Sequence, residues 1–151
     1  MPRLIRILFV CHGNICRSPM AEYIMKYITR RRGLGECFVI DSAATSNEEI
    51  GNPVHPGTRR VLEENNIPCG DHVARRITAD DANKWDLVVV MDGANAKNAR
   101  RILGSKANIH KLLEFAGEYR DVADPWYTGD FERTFDDVYA GCQGLLGYLG
   151  F

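Results

Sequence analysis

A thiol, a guanidinium and a carboxyl carry the chemical potential of this chain. Cys11 and Arg17 lie in the run Cys11-His12-Gly13-Asn14-Ile15-Cys16-Arg17-Ser18-Pro19, and Asp124 stands far downstream in Ala123-Asp124-Pro125-Trp126-Tyr127. The first run follows an apolar stretch and precedes a helical pattern, so it reads as a strand-to-helix loop. Such a loop offers unpaired backbone N–H groups and the positive end of a helix dipole, which together suit a phosphate. Gly13 opens backbone conformations closed to other residues and Asn14 tolerates positive φ, so the loop is expected to curl its amides around one phosphoryl group.

Beside the helix N-terminus and Arg17, Cys11 is favoured as thiolate, the nucleophilic form. Arg17 presents a planar fork that can hold two phosphoryl oxygens while sulfur approaches in line. The departing oxygen then needs a proton, because phosphate-monoester hydrolysis is among the slowest uncatalysed reactions. Asp124 is the candidate donor, and afterwards the base for the water that cleaves a cysteinyl-phosphate. Trp126 and Tyr127 are expected to wall a phenyl ring, since two adjacent loop aromatics cannot easily both turn into the core.

The elements that must position these groups follow an α/β alternation with a parallel sheet. Residues 3–10 form a buried strand, Ser18 caps the next helix with Pro19 at its first position, and Gly33 stops it. Met20, Ile24, Tyr27 and Ile28 make its apolar stripe, with Glu22, Lys26, Thr29 and Arg30 outside; Arg30, Arg31 and Arg32 read as its cationic end. Further strands are expected at residues 38–40, 87–91 and 109–113, and helical segments at 58–65, 78–84 and 94–103. In a last helix, Phe135, Val138, Tyr139, Cys142, Leu145, Leu146 and Leu149 share one face. Its Gly141, Gly144 and Gly147 each cost about 1 kcal/mol relative to Ala, so packing must hold it.

Residues 1–151 fit one domain, with 45% apolar and 26% charged residues and a net charge of -1. That balance argues against a nucleic-acid partner, and no apolar stretch approaches the roughly 20 residues of a membrane span. Five cysteines at irregular spacings suggest free thiols in a reducing, cytoplasmic setting. Cys37, Cys69 and Cys142 read as small buried hydrophobes, and His55 and His110 as surface or structural residues. Cys11, His12 and Cys16 fit no ordinary zinc spacing.

The chain resembles the low-molecular-weight protein tyrosine phosphatases nearly end to end. Beyond the Cys11 loop, the likeness is carried by Asp41-Ser42-Ala43-Ala44-Thr45-Ser46, Ile50-Gly51-Asn52-Pro53, His72-Val73-Ala74-Arg75, Met91-Asp92 and Asp124-Pro125-Trp126-Tyr127. The resemblance implies a single-domain, four-stranded parallel sheet flanked by helices on both faces, with the phosphate loop between first strand and first helix. It implies no metal or cofactor, and a cysteinyl-phosphate intermediate with Cys11 as nucleophile, Arg17 as clamp and Asp124 as acid. Phosphotyrosine-containing proteins are the implied substrates, and a cognate tyrosine kinase or its targets the implied partners. His12, Gly13, Asn14, Ile15, Cys16, Ser18, Glu48, Trp126 and Tyr127 are the expected substrate-binding residues. Asn14, Ser18, Ser42 and His72 are expected to support the loop through a hydrogen-bond network, with the Ser18 hydroxyl near the thiolate. Cys16 lies close enough in sequence to resolve an oxidised Cys11, and the resemblance implies the same redox pairing.

His12, after the nucleophile, and Glu48, at the pocket wall, depart from the commoner family pattern and bear on peptide preference. An arsenate reductase on this fold relays through two further cysteines, but none occurs between Cys69 and Cys142. Phosphoarginine phosphatases are associated with Thr where this chain has Ile15. A non-catalytic phosphotyrosine-binding module would not need Cys11, Arg17 and Asp124 together.

Overall fold

The first strand, β1 (Ile5–Cys11), sends Ile7, Phe9 and Cys11 to one face of the sheet and Leu8 and Val10 to the other. Helices cover both faces, which is why β1 reads as a continuous apolar run rather than an alternating one. In this computed structural model, which describes residues 4–151, the strands are β1, β2 (Phe38–Ala44), β3 (Leu87–Val90) and β4 (Ile109–Lys111). All pairings are parallel, in the order β2-β1-β3-β4. Arg3, expected to begin the first strand, lies outside the described residues.

Helices α1 (Arg17–Arg31), α2 (Pro56–Glu64) and α5 (Phe131–Tyr148) bury their apolar residues on the Ile7–Phe9 face. Helix α3 (Gly93–Leu103) packs Ala99 and Leu103 against Leu8, Val10, Val88 and Val90 on the other. From β1 the chain crosses to β2 on one side and later returns to β3 on the other. The carboxyl ends of β1 and β3 therefore flank a topological switch point, where α/β sheets open a crevice for ligands.

Several boundaries depart from the sequence reading for local reasons. Helix α1 starts at Arg17 with Cys16 at the N-cap, so Ser18 is not the cap. Pro19 falls at the third helical position, where its missing N–H is still one of the four without an intrahelical partner. Gly33 lies two residues past the helix at φ +69, and Leu34 N–H closes the end on Thr29 carbonyl at 2.8 Å. Glu22 and Thr29, expected outside the stripe, are buried, because α1 is wedged between the sheet, α2 and α5. Thr29 satisfies its hydroxyl on the Met25 carbonyl at 2.8 Å.

Helix α2 begins at Pro56, capped by His55 Nδ1, which accepts from Gly57 N–H at 3.0 Å. The second strand runs on to Ala44, its polar Asp41 and Ser42 having concealed it. The third strand ends one residue before Met91, and the fourth gives way to a 3-10 turn, Leu112–Ala116. Residues 78–84 form the 3-10 turn Ala79–Asn83, with Thr78 N–H bonded to Asp81 at 2.9 Å. Cys142 is buried as expected, whereas Cys37 and Cys69 are only half-buried. In α5, a Cβ at Gly141 would strike Leu112 and one at Gly144 the Phe115 backbone, so these glycines let α5 seat against the Leu112–Ala116 turn.

Candidate active site

Cys11 ends β1 at the floor of a cavity of about 110 Å³. Its Sγ meets Ser18 Oγ at 3.1 Å, Asn14 N–H at 3.3 Å and Ser18 N–H at 3.4 Å. Two backbone N–H donors and the Ser18 hydroxyl thus converge on the sulfur beside the N-terminus of α1. The loop carbonyls are tied outward: those of Cys11, His12 and Ile15 accept from the N–H groups of Thr45, Ser46 and His55, and that of Cys16 from Thr58 Oγ1. Because N–H points opposite to C=O in a trans peptide, the following amides turn toward the cavity.

Asn14 holds the loop's shape. It sits at φ +59, is 1% exposed, and gives Nδ2 to Ser18 Oγ at 2.8 Å and Ser42 Oγ at 2.9 Å. Its Oδ1 accepts from His72 Nε2 at 2.7 Å and Arg75 N–H at 3.2 Å. Ser42 in turn donates to Glu22 Oε1 at 2.6 Å, and Lys26 closes the chain on Glu22 Oε2. Asn14, Ser18, Ser42 and His72 thus form one connected set behind the loop. The Asn14 and Ser18 side chains act from there, while their backbone N–H groups face Cys11 Sγ at the cavity floor. The left-handed turn also falls on Asn14 and not on Gly13, where an added Cβ would make only ordinary contact with Glu49.

Arg17 is 2% exposed and aimed by three acceptors from two segments. Nη1 donates to Asp92 Oδ2 at 2.8 Å and to the Val122 carbonyl at 2.9 Å, while Nη2 reaches Asp124 Oδ2 at 3.5 Å. Burial works against its charge, but Cys11, Asp92 and Asp124 outweigh it and hold its pKa above the ordinary arginine value. Asp92 received no role from sequence reasoning. Its signal was that of a helix cap after a strand: Oδ1 accepts Asn95 N–H at 2.7 Å, leaving Oδ2 for Arg17.

Asp124 caps the short helix α4 (Pro125–Thr128) through Trp126 N–H at 3.0 Å, which fixes Oδ1 and leaves Oδ2 toward the cavity and Arg17. Trp126 and Tyr127 line the cavity and are 57% and 84% exposed, so neither plugs the core. His55 meets Trp126 edge-on at 5.8 Å and stacks on Phe131 at 5.0 Å, a supporting place its isolated sequence position did not reveal. At the rim, His12 Nε2 and Glu48 Oε2 are 2.8 Å apart, a pairing across 36 residues, and Glu49 joins them in the lining. Ile15 and Cys16 also line the cavity; burial first, and then the Cys11 and Asp124 charges, push the Cys16 pKa up to about 12.

Residues 6–150 match the family model described as low molecular weight phosphotyrosine protein phosphatase. The chain belongs to that family. It is 38% identical over 150 residues to the low molecular weight protein-tyrosine-phosphatase YfkJ of Bacillus subtilis, covering 97% of this chain and 96% of that protein. The YfkJ crystal structure superposes with a TM-score of 0.93 at 37% identity, covering 97% of this chain and 94% of that one. A protein tyrosine phosphatase from Entamoeba histolytica, crystallised with Hepes in its active site, gives a TM-score of 0.90 at 30% identity with 96% of each chain covered. The family is one of cysteine-dependent hydrolases, and the four-stranded parallel sheet flanked by helices is its fold. No helix among the described residues is long and apolar enough to cross a membrane.

Proposed function

We propose that this phosphatase hydrolyses phosphotyrosine in protein substrates, and aryl phosphate monoesters generally, with Cys11, Arg17 and Asp124 as its catalytic residues. The observation that carries the reading is their convergence: a sulfur met by two N–H groups and the Ser18 hydroxyl, a buried guanidinium and a half-buried carboxyl share one cavity walled by Trp126 and Tyr127. The phosphoryl group sits on the loop amides with two oxygens on Arg17. Cys11 thiolate attacks phosphorus, the bond from phosphorus to the aryl oxygen breaks, and the Asp124 proton passes to that oxygen. Asp124 carboxylate then takes a proton from water, whose oxygen attacks phosphorus. The S–P bond breaks, releasing phosphate and Cys11 thiolate. Ser18, donating to that sulfur, favours its return as leaving group.

Ile15, at the cavity wall, supports an aryl substrate by its shape and its lack of a hydroxyl. The partners in this reading are phosphotyrosine proteins and the kinase that makes them, in the cytoplasm. Cys11→Ser should leave no measurable turnover yet retain phosphate binding, because the cradle is backbone and Arg17. Asp124→Ala should lose about 10²- to 10⁴-fold in kcat/KM on phenyl phosphate and far less on dinitrophenyl phosphate, whose leaving group needs no proton. Turnover by Cys11→Ser within tenfold of wild type, or equal Asp124→Ala losses on both substrates, would sink the respective assignment.

A further inference from the structure

The chain leading to Asp124 is tied down residue by residue. Arg120 gives Nη1 and Nη2 to the two oxygens of Asp137 in α5, each at 2.8 Å. Asp121 takes Lys111 Nζ at 2.6 Å and Gly93 N–H at 3.2 Å. Val122 bonds through its N–H to the Met91 carbonyl at 2.9 Å and through its carbonyl to Arg17. The Ala123 carbonyl accepts from Thr134 Oγ1 at 3.4 Å. Four consecutive residues are thus moored to α5, to the end of β4 with the start of α3, and to the residue after β3, immediately before the proposed acid.

The Arg120 mooring differs from the others in strength and in reach. It is bidentate and charge-assisted, and Asp137 is 8% exposed, so without its cation this carboxylate would stand nearly buried and uncompensated. Glu118 brackets the same guanidinium at 3.1 and 3.3 Å, fixing its plane. At the other end, Asp124 Oδ2 lies 3.5 Å from Arg17, the outer limit of a hydrogen bond, so a small drift of residues 120–124 would break that contact. A donor displaced by about 1 Å can lose 10²-fold in rate.

We propose that Arg120, clamped on Asp137, is a positioning residue that holds Asp124 where it can protonate the leaving oxygen, an inference that rests on Asp124 as the proton donor. Arg120 does not line the cavity. Its effect reaches the site only through residues 121–124: a shift at Asp124 shows as leaving-group dependence, whereas a shift of Arg17 through Val122 would slow both substrates alike.

The test is kcat/KM for Arg120→Gln and Asp137→Asn on phenyl phosphate and on dinitrophenyl phosphate, each also in an Asp124→Ala background. Both single variants should lose about 5- to 20-fold on phenyl phosphate and under about 2-fold on dinitrophenyl phosphate, and neither should lose more once Asp124 is gone. Arg120→Lys, which keeps the charge without the fork, should recover part of the loss. Arg120→Gln leaves the Asp137 carboxylate without its cation, whereas the isosteric Asp137→Asn leaves no buried charge, so the second variant tests the clamp apart from that folding cost. Equal losses on both substrates, no loss on phenyl phosphate, or an undiminished loss in the Asp124→Ala background would overturn the clamp. If Asp124→Ala itself shows no leaving-group dependence, the acid assignment falls and the clamp with it; if only the Arg120 and Asp137 variants lack it, the clamp alone falls.

Discussion

Replacing Asn14 tests the claim that one side chain holds the phosphate loop in shape. Asn14→Ala removes two donors and one acceptor from a network buried at Ser18 and Ser42 and half-buried at His72 and Arg75, and puts an aliphatic residue at φ +59. The left-handed conformation alone costs an alanine about 1–2 kcal/mol. Arg75 N–H loses its acceptor, a cost of about 1–3 kcal/mol if it stays buried. Ser18, Ser42 and His72 keep second partners on Cys11, Glu22 and each other, so their losses are smaller. The sum, about 3–5 kcal/mol, is a large share of the 5–15 kcal/mol that holds a typical domain. With a urea slope of about 1–3 kcal/mol per molar, the unfolding midpoint should fall by more than about 1 M. Asn14→Gly loses the same hydrogen bonds but accepts the backbone angle. After the entropic cost of glycine it should be about 0.5–1 kcal/mol the more stable of the two. Urea unfolding of wild type and both variants, with kcat/KM on one aryl phosphate, gives the answer. If Asn14→Ala unfolds within about 1 kcal/mol of wild type, or matches it in kcat/KM, then neither strain nor network holds this loop.

Two further outcomes are expected. Glu48→Gln should shrink the preference for basic over acidic peptides flanking phosphotyrosine by about 2- to 5-fold at low salt and less at high salt, and an unchanged ratio would mean that Glu48 serves only His12. For redox protection, peroxide converts Cys11 to a sulfenic acid and Cys16 thiolate displaces hydroxide from it to form the disulfide. With its pKa near 12, Cys16 is nearly all thiol at neutral pH, so closure should speed about tenfold per unit as pH rises from 7 to 9, read as faster loss of sulfenic-acid trapping. Full recovery of peroxide-treated Cys16→Ser by reductant, or a pH-independent rate, would leave Cys16 a packing residue.

Short-range chemistry was legible in the linear chain. Residue type and spacing placed the phosphate loop between β1 and α1, singled out Cys11, Arg17 and Asp124, and gave the alternation of strands and helices, because periodicity and loop composition are local properties. Helix starts were less legible: Ser18 has the chemistry of a cap, yet its hydroxyl is spent on Cys11, a partner seven residues away that only the closed loop supplies. Glu22 looked solvent-facing until β2 and His72 came against it and Ser42 and Lys26 met its two oxygens. The longest-range relations were decided by tertiary structure alone. Asp92 and Val122 reach Arg17 across 75 and 105 residues, and His12 meets Glu48 across 36. No pattern in the chain encodes those pairings; they exist because the order β2-β1-β3-β4 brings the carboxyl ends of β1 and β3 side by side, and whatever follows each strand must share that crevice.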